Sequence, residues 1–335
     1  MQPAMYWEKA QNGKVQCLLC PQKCVIARDR DGFCRVRHNE GGSLYTKNYG
    51  KCTSFGMDPI EKKPLYHFHP GSYIFSVGTF GCNLRCGFCQ NWQIAHGDPE
   101  TVTIKPAELI DVAARGHNGH RSVGLAYTYS EPFMWYEYVY DTAQLARAAG
   151  LKNVLVTNGF VNPEPLTKLL PFIDAMNIDV KGFSDRYYNE TCGGELQPVL
   201  KTVEIASKLC HVEITTLLVT GLNDSLPEIN NLVDWLAGVD KDIPLHLTRY
   251  FPNYKMDLPP TPIPTMERAR EIARKKLNYV YLGNVPGAEG SNTYCPDCNE
   301  LLVSRGSYRA ENIGWLGGKC HNCDRSINIA GEVSK

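Results

Sequence analysis

The stretch YIFSVGTFGCNLRCGFC, residues 73–89, decides how the rest of the chain is read. Its first six residues are apolar, aromatic or β-branched apart from one serine and the closing glycine, the composition of a buried strand. Directly after them come Cys82, Cys86 and Cys89, three thiols within eight residues on one loop. Three such thiolates can ligate three irons of a 4Fe–4S cubane and leave the fourth iron without a protein ligand from this motif. An open metal position is what a site needs when a substrate or cofactor must bind the metal directly. Gly81 and Gly87 allow the backbone to wrap closely, and Phe88 is placed to shield one side from water.

Working outward, six more β-rich runs follow: SVGLAYT (122–128), NVLVTN (153–158), AMNIDV (175–180), VEITTLLV (212–219), PLHLTRY (244–250) and YVYLGN (279–284). The segments between them show helical periodicity. AELIDVAARG sets Leu109, Ile110, Val112 and Ala113 near one face, and PFMWYEYVYDTAQLARAAG ends on Gly150 as at a helix C-terminus. The prolines at 163 and 165 mark another helix start, and LPEINNLVDWLAG and MERAREIARKKL repeat the pattern. Alternation of this length predicts βαβ units on a parallel sheet. Seven strands are too few for a closed eight-stranded barrel, so the expectation is α/β, a partial (β/α)6-type parallel barrel. The expected divisions are an N-terminal cysteine-containing segment (1–71), the partial barrel (72–290) and a C-terminal four-cysteine tail (291–335). The stretch DPIEKKPLYHFHPG reads as ordered loop.

Composition limits the alternatives. With 43% hydrophobic and 21% charged residues, the 335-residue chain is an ordinary globular protein. Lys+Arg and Asp+Glu both number 35, so no whole-protein charge draws it to nucleic acid or an anionic membrane. No apolar run approaches the ~20 residues of a membrane helix, and the N-terminus lacks the apolar stretch of a secretory signal. A cytoplasmic protein is expected. Fourteen cysteines in such a chain suit metals in a reducing compartment better than disulfides. Cys295, Cys298, Cys320 and Cys323 form two CxxC knuckles, the mark of a structural zinc ribbon or a rubredoxin-like iron site. Cys17, Cys20, Cys24 and Cys34 are less regularly spaced and are read as structural zinc, with a second iron–sulfur cluster as the alternative. Cys52, Cys192 and Cys210 carry no pattern and read as packing residues.

CxxxCxxC with an aromatic before the last cysteine, set after the first strand of a βα array, resembles the radical S-adenosylmethionine superfamily. That resemblance implies reductive cleavage of S-adenosylmethionine at the cluster, giving a 5′-deoxyadenosyl radical that abstracts hydrogen from a substrate. It also implies cofactor-binding roles for Phe88, Ser130, Glu131, Asn158, Asp179 and Lys181. Tyr129-Ser130-Glu131-Pro132 stands where relatives carry a Gly-Gly-Glu-like segment, here without the glycines; Thr157-Asn158-Gly159 and Asp179-Val180-Lys181 resemble the TNG and DLK segments of glycyl-radical activating enzymes. Lys181, His246 and Arg249 are the candidate catalytic residues, and Thr215, Thr216 and Asn223 the other polar candidates on later strands.

CLLCPQKCVIARDRDGFCRVRHN, GMDPIEKKPLYHFHPGS and CNLRCGFCQNWQIAH together resemble the radical enzyme of the AmmeMemoRadiSam system, a pyruvate formate-lyase activating enzyme-like group. This implies a reductant protein of ferredoxin or flavodoxin type and Memo-like and AMMECR-domain proteins as partners. Three readings stay open: an activase acting on a peptide glycine, a small-molecule or RNA-modifying radical enzyme, and a non-catalytic iron–sulfur/zinc adaptor. Nucleic acid is not the favoured partner.

Overall fold

The computed structural model describes residues 1–116, 122–287, 290–306 and 308–331. All seven expected strands are present: β2 (Tyr73–Gly78), β3 (Ser122–Tyr127), β4 (Lys152–Thr157), β5 (Ala175–Asp179), β6 (His211–Leu218), β7 (Leu245–Arg249) and β8 (Val280–Gly283). They lie side by side in chain order and pair in parallel. One strand was not expected. Ser54–Pro59, here β1, pairs antiparallel with β2 at the sheet edge, and its last two residues overlap the stretch read as ordered loop. Its closing proline is tolerated because an edge strand has one side free of partners. β1 and β8 form the two edges of an open sheet.

Helices fill the crossovers: α1 (Trp92–His96) and α2 (Pro106–Arg115) after β2, α3 (Tyr136–Ala148) after β3, and α4 (Pro163–Leu169) after β4. Then come α5 (Leu196–Ala206), α6 (Leu226–Val239) and α7 (Ile263–Arg274). α5 was not singled out in the sequence. Its buried Leu196, Val199, Leu200 and Val203 give it a helical apolar face, but Pro198 and the preceding glycines mask it. Among the described residues, no helix is long and apolar enough to cross a membrane.

Side-chain alternation along the strands separates two environments. Phe75, Val77, Leu125, Leu155, Ile178 and Leu247 belong to the main core shared with the helices. Residues of opposite parity, including Val156, Asp179, Thr215 and His246, line the interior. Near the strand starts this interior is plugged by Ile60, Leu65 and Phe68, packed on Ile74, Val154 and Ala175. The plug is pinned by Glu213 near the start of β6. Its carboxylate accepts from the backbone N–H of Tyr66 (2.9 Å) and His67 (2.7 Å) and meets His211 Nε2 (3.0 Å) and His246 Nε2 (2.7 Å). Burial opposes the Glu213 charge, but the two histidines outweigh it and hold the carboxyl well below its usual range.

The N-terminal segment forms two small antiparallel sheets, and its Val15, Leu19, Ile26 and Val36 share the main core with the barrel. A buried ion pair, Arg37 Nη1 to Glu137 Oε1 at 2.8 Å, ties it to α3. The C-terminal segment builds its own core from Leu302, Val303, Trp315 and Ile327 against Tyr279 and Tyr281. It reaches the plug through His67 Nδ1 and the Asn328 carbonyl (2.9 Å) and a bridge between Phe68 and Ala330.

Candidate active site

The strand C-termini open into a cavity of about 1020 Å³. Cys82, Cys86, Phe88 and Cys89 form one side; Ser130, Glu131, Asn158, Asp179 and Lys181 come from the ends of β3, β4 and β5. His246 lies deeper, on β7.

The cysteine loop is held from three directions. Gly81, at φ +95°, has no room for a side chain, since a Cβ there would lie 2.6 Å from Val36 Cγ1 and 2.9 Å from the Cys34 carbonyl. Asn83 is buried and donates to the Phe160 carbonyl at 2.6 Å, while the Asn158 amide donates to Asn83 Oδ1 at 2.9 Å. Arg85 N–H donates to the Cys192 carbonyl at 2.6 Å and Gly87 N–H to that of Thr191 at 3.2 Å. Cys192 is therefore more than packing. It is fully buried beside Cys86, and this contact, together with burial, raises the Cys86 pKa well above the usual thiol range.

Two donors point at Cys82 Sγ: the Leu84 backbone N–H (3.4 Å) and the Asn158 amide (3.6 Å). Such contacts favour a thiolate and orient a metal ligand. Glu131 is fully enclosed. Its carboxylate accepts from Thr157 Oγ1 (2.7 Å), Asn158 N (2.8 Å) and Phe133 N (3.0 Å), locking the end of β3 to the end of β4. Burial pushes its pKa up to about 7 against those donors. Lys181 Nζ meets Asp179 Oδ2 at 2.8 Å. Burial disfavours the ammonium, but Asp179 and the adjacent Cys86 sulfur outweigh it and keep Lys181 charged well above its ordinary range.

A match to the radical SAM superfamily covers residues 76–236, the span from β2 through most of α6. A Methanocaldococcus jannaschii protein, itself uncharacterized, is 44% identical over 98% of this chain and 99% of its own length. The chain carries a radical SAM superfamily domain. The pyruvate formate-lyase 1-activating enzyme of Escherichia coli is 26% identical over 57% of this chain and 85% of its own. A solved domain of a pyruvate-formate lyase-activating enzyme from Bacteroides vulgatus aligns with 18% identity and a TM-score of 0.43, covering 48% of this chain and 99% of that one.

The residues of this radical SAM chain fit a site-differentiated cluster. Three thiols from one loop face the cavity, two N–H donors reach Cys82 Sγ, and among the described residues no fourth cysteine lines the cavity. No three of the sulfurs of Cys82, Cys86 and Cys89 fall within 4.8 Å of one another, the spacing at which Cys295, Cys298, Cys320 and Cys323 do converge. The C-terminal group is a four-cysteine metal site, with Cys295–Cys323 and Cys298–Cys320 sulfurs each 3.6 Å apart.

Several candidates are placed elsewhere. Arg249 does not line the cavity: its Nε donates to the Thr261 carbonyl at 2.7 Å and its guanidinium covers Phe251. Thr216 points away, to the Val180 carbonyl, and Asn223 braces the Lys181 and Leu217 carbonyls. Thr215 faces the cavity. Sequence reasoning missed a charged wall opposite the cluster loop: Asp58, Glu61, Lys62 and Lys63 from the β1–β2 connection, and Arg305 from the C-terminal segment. Asp58 pairs with Lys63 at 2.7 Å. His96 also lines the cavity, with both ring nitrogens lacking a protein partner; burial and the nearby Arg85 bring its pKa down to about 4. The only sequence signal for these residues was the density of charge in DPIEKK.

Proposed function

We propose that this chain reductively cleaves S-adenosylmethionine at a 4Fe–4S cluster held by Cys82, Cys86 and Cys89 and turns the resulting radical on a substrate in the cavity. One observation carries the reading: the cysteine loop and the polar ends of β3, β4 and β5 meet around a single cavity at the strand C-termini, where parallel-strand enzymes keep their chemistry. When bound, the cluster supplies the electron that breaks the sulfonium bond. The protein's share is positional. Leu84 N–H and the Asn158 amide steady the Cys82 thiolate, and the Asp179–Lys181 pair sets a fixed charge beside Cys86. Glu131 holds the rim on which Asn158 stands. The C-terminal site takes zinc as the default for four closed thiolates, and the electron donor is a low-potential protein of ferredoxin or flavodoxin type. The test is anaerobic reconstitution with iron and sulfide, reduction with dithionite, and chromatography for 5′-deoxyadenosine and methionine. Neither product from a fully loaded cluster, with no change in its paramagnetic resonance on adding S-adenosylmethionine, would sink the reading.

The charged wall of Asp58, Glu61, Lys62, Lys63 and Arg305 favours a small polar substrate over an extended peptide loop. On that reading a dialysable cell fraction accelerates 5′-deoxyadenosine formation. Acceleration by the macromolecular fraction alone would favour the activase.

A further inference from the structure

The N-terminal cysteines, read from sequence as structural zinc with a second iron–sulfur cluster as the alternative, are not gathered as tightly as the C-terminal four. Cys17, Cys20, Cys24 and Cys34 line one cavity. Zinc bonded to four thiolates at about 2.3 Å would draw the sulfurs to roughly 3.8 Å of each other. The C-terminal cysteines show that geometry. Among the N-terminal four, no three sulfurs gather within 4.8 Å, although all four face the same space. The thiols of the Cys82 loop, proposed above to hold a cubane, likewise do not gather within 4.8 Å. A two-iron cluster, which sets its thiolates two to each iron, would need close pairs, and among the described residues no pair of these four makes the sulfur contact seen at the C-terminus.

A second, independent feature is Arg37. Its side chain is 1% exposed and lines the same cavity. One guanidinium nitrogen is taken by Glu137, but Nε and Nη2 are buried without a protein partner. Leaving charged donors buried and unused is costly. Bridging sulfides and thiolates of an anionic cluster would give them acceptors.

We propose that Cys17, Cys20, Cys24 and Cys34 hold a second 4Fe–4S cluster, with Arg37 donating hydrogen bonds to it. With four protein thiolates it has no open iron, so its role is electron transfer. It takes one electron from a low-potential carrier protein of ferredoxin or flavodoxin type and passes one electron to the cluster at Cys82, Cys86 and Cys89. The route is short: Asn83, the neighbour of Cys82, lines the N-terminal cavity, and Gln22 donates to its carbonyl at 3.0 Å. Arg85 likewise bridges the two, joining the Cys82 carbonyl (2.8 Å) and the Phe33 carbonyl.

The site itself does not depend on the radical reading; only the destination of the electron does. The experiment compares anaerobically reconstituted full-length protein with the Cys82→Ala/Cys86→Ala/Cys89→Ala variant. Iron, sulfide and zinc are counted, and the reduced samples are read by Mössbauer and electron paramagnetic resonance spectroscopy. The expected result is that iron and sulfide fall by half rather than to zero, and the spin count per chain halves. The remaining signal should not respond to S-adenosylmethionine, and zinc should stay unchanged. A variant carrying no iron, a second zinc, or only a two-iron spectrum would overturn the proposal. Should that variant not fold, Cys20→Ser/Cys34→Ser gives the reciprocal test: iron halves, and the remaining cluster is the one that responds to S-adenosylmethionine. Unchanged iron would overturn the proposal. If the halving is seen but wild-type protein makes no 5′-deoxyadenosine, the second cluster stands and the radical reading fails.

Discussion

Cys86 sits between two influences, Cys192 behind it and Lys181 beside it, both fixed by the fold. Cys86→Ala is expected to remove the paramagnetic signal that responds to S-adenosylmethionine and to abolish 5′-deoxyadenosine, while the C-terminal metal stays bound by elemental analysis. Glu131→Gln changes one rim residue without changing its shape. It weakens the acceptor for Thr157 and Asn158 by about 1.5–3 kcal/mol, the scale of a charged hydrogen bond. S-adenosylmethionine affinity, read by calorimetry, should therefore drop about tenfold or more, with cluster content unchanged. At this scale the sequence spoke clearly wherever partners are close along the chain. Cys82, Cys86 and Cys89 announce themselves because ligand spacing is local. Asn83, His96 and Arg305 do not, because their roles come from contacts with residues far off in sequence. Arg249 shows the opposite error: a charge at a strand end can be spent on a neighbouring carbonyl.

The strands were readable for the same reason, since each parallel strand buried on both faces is a continuous apolar run. β1 was not, because SFGMDP contains glycine and proline and gains its strand character only by pairing with β2. The plug that follows it carries the strongest stability prediction. Glu213→Ala leaves two backbone N–H groups and two histidines without their acceptor, and should cost about 3–5 kcal/mol by denaturant unfolding. His67 adds a pH dependence. Its Nε2 meets Tyr281 Oη at 2.6 Å, and burial pushes its pKa down to about 3. In the unfolded chain the same ring titrates near 6.5. Below about pH 6.5 the unfolded state gains a proton that the native state refuses, so stability falls as pH drops from about 6.5 toward 3. His67→Gln should flatten that slope in urea midpoints measured at pH 7 and pH 5. Contributions from His96 and Glu131 are common to both proteins and cancel in the comparison.

Across the whole molecule, the C-terminal cysteine group anchors a segment that forms part of the main cavity. The C-terminal segment supplies Arg305 and Tyr308 to the wall, and Arg305 also reaches the Tyr66 carbonyl at 2.6 Å and lies over the Tyr66 ring. Cys298→Ser/Cys320→Ser should therefore do more than release a metal. Structural thiolate sites contribute folding free energy directly, so residues 290–331 should become open to proteolysis while the barrel keeps its circular dichroism. Formation of 5′-deoxyadenosine should fall with the loss of that wall. From sequence the tail read only as a structural zinc ribbon or rubredoxin-like iron site, since nothing in CPDC or CHNC shows where it docks. The bridge between Phe68 and Ala330 also bears on synthesis. Translation proceeds at about 5–20 residues per second, so the sheet can emerge from the ribosome seconds before its final wall does. A nascent chain thus carries an unfinished cavity until residue 330 has emerged.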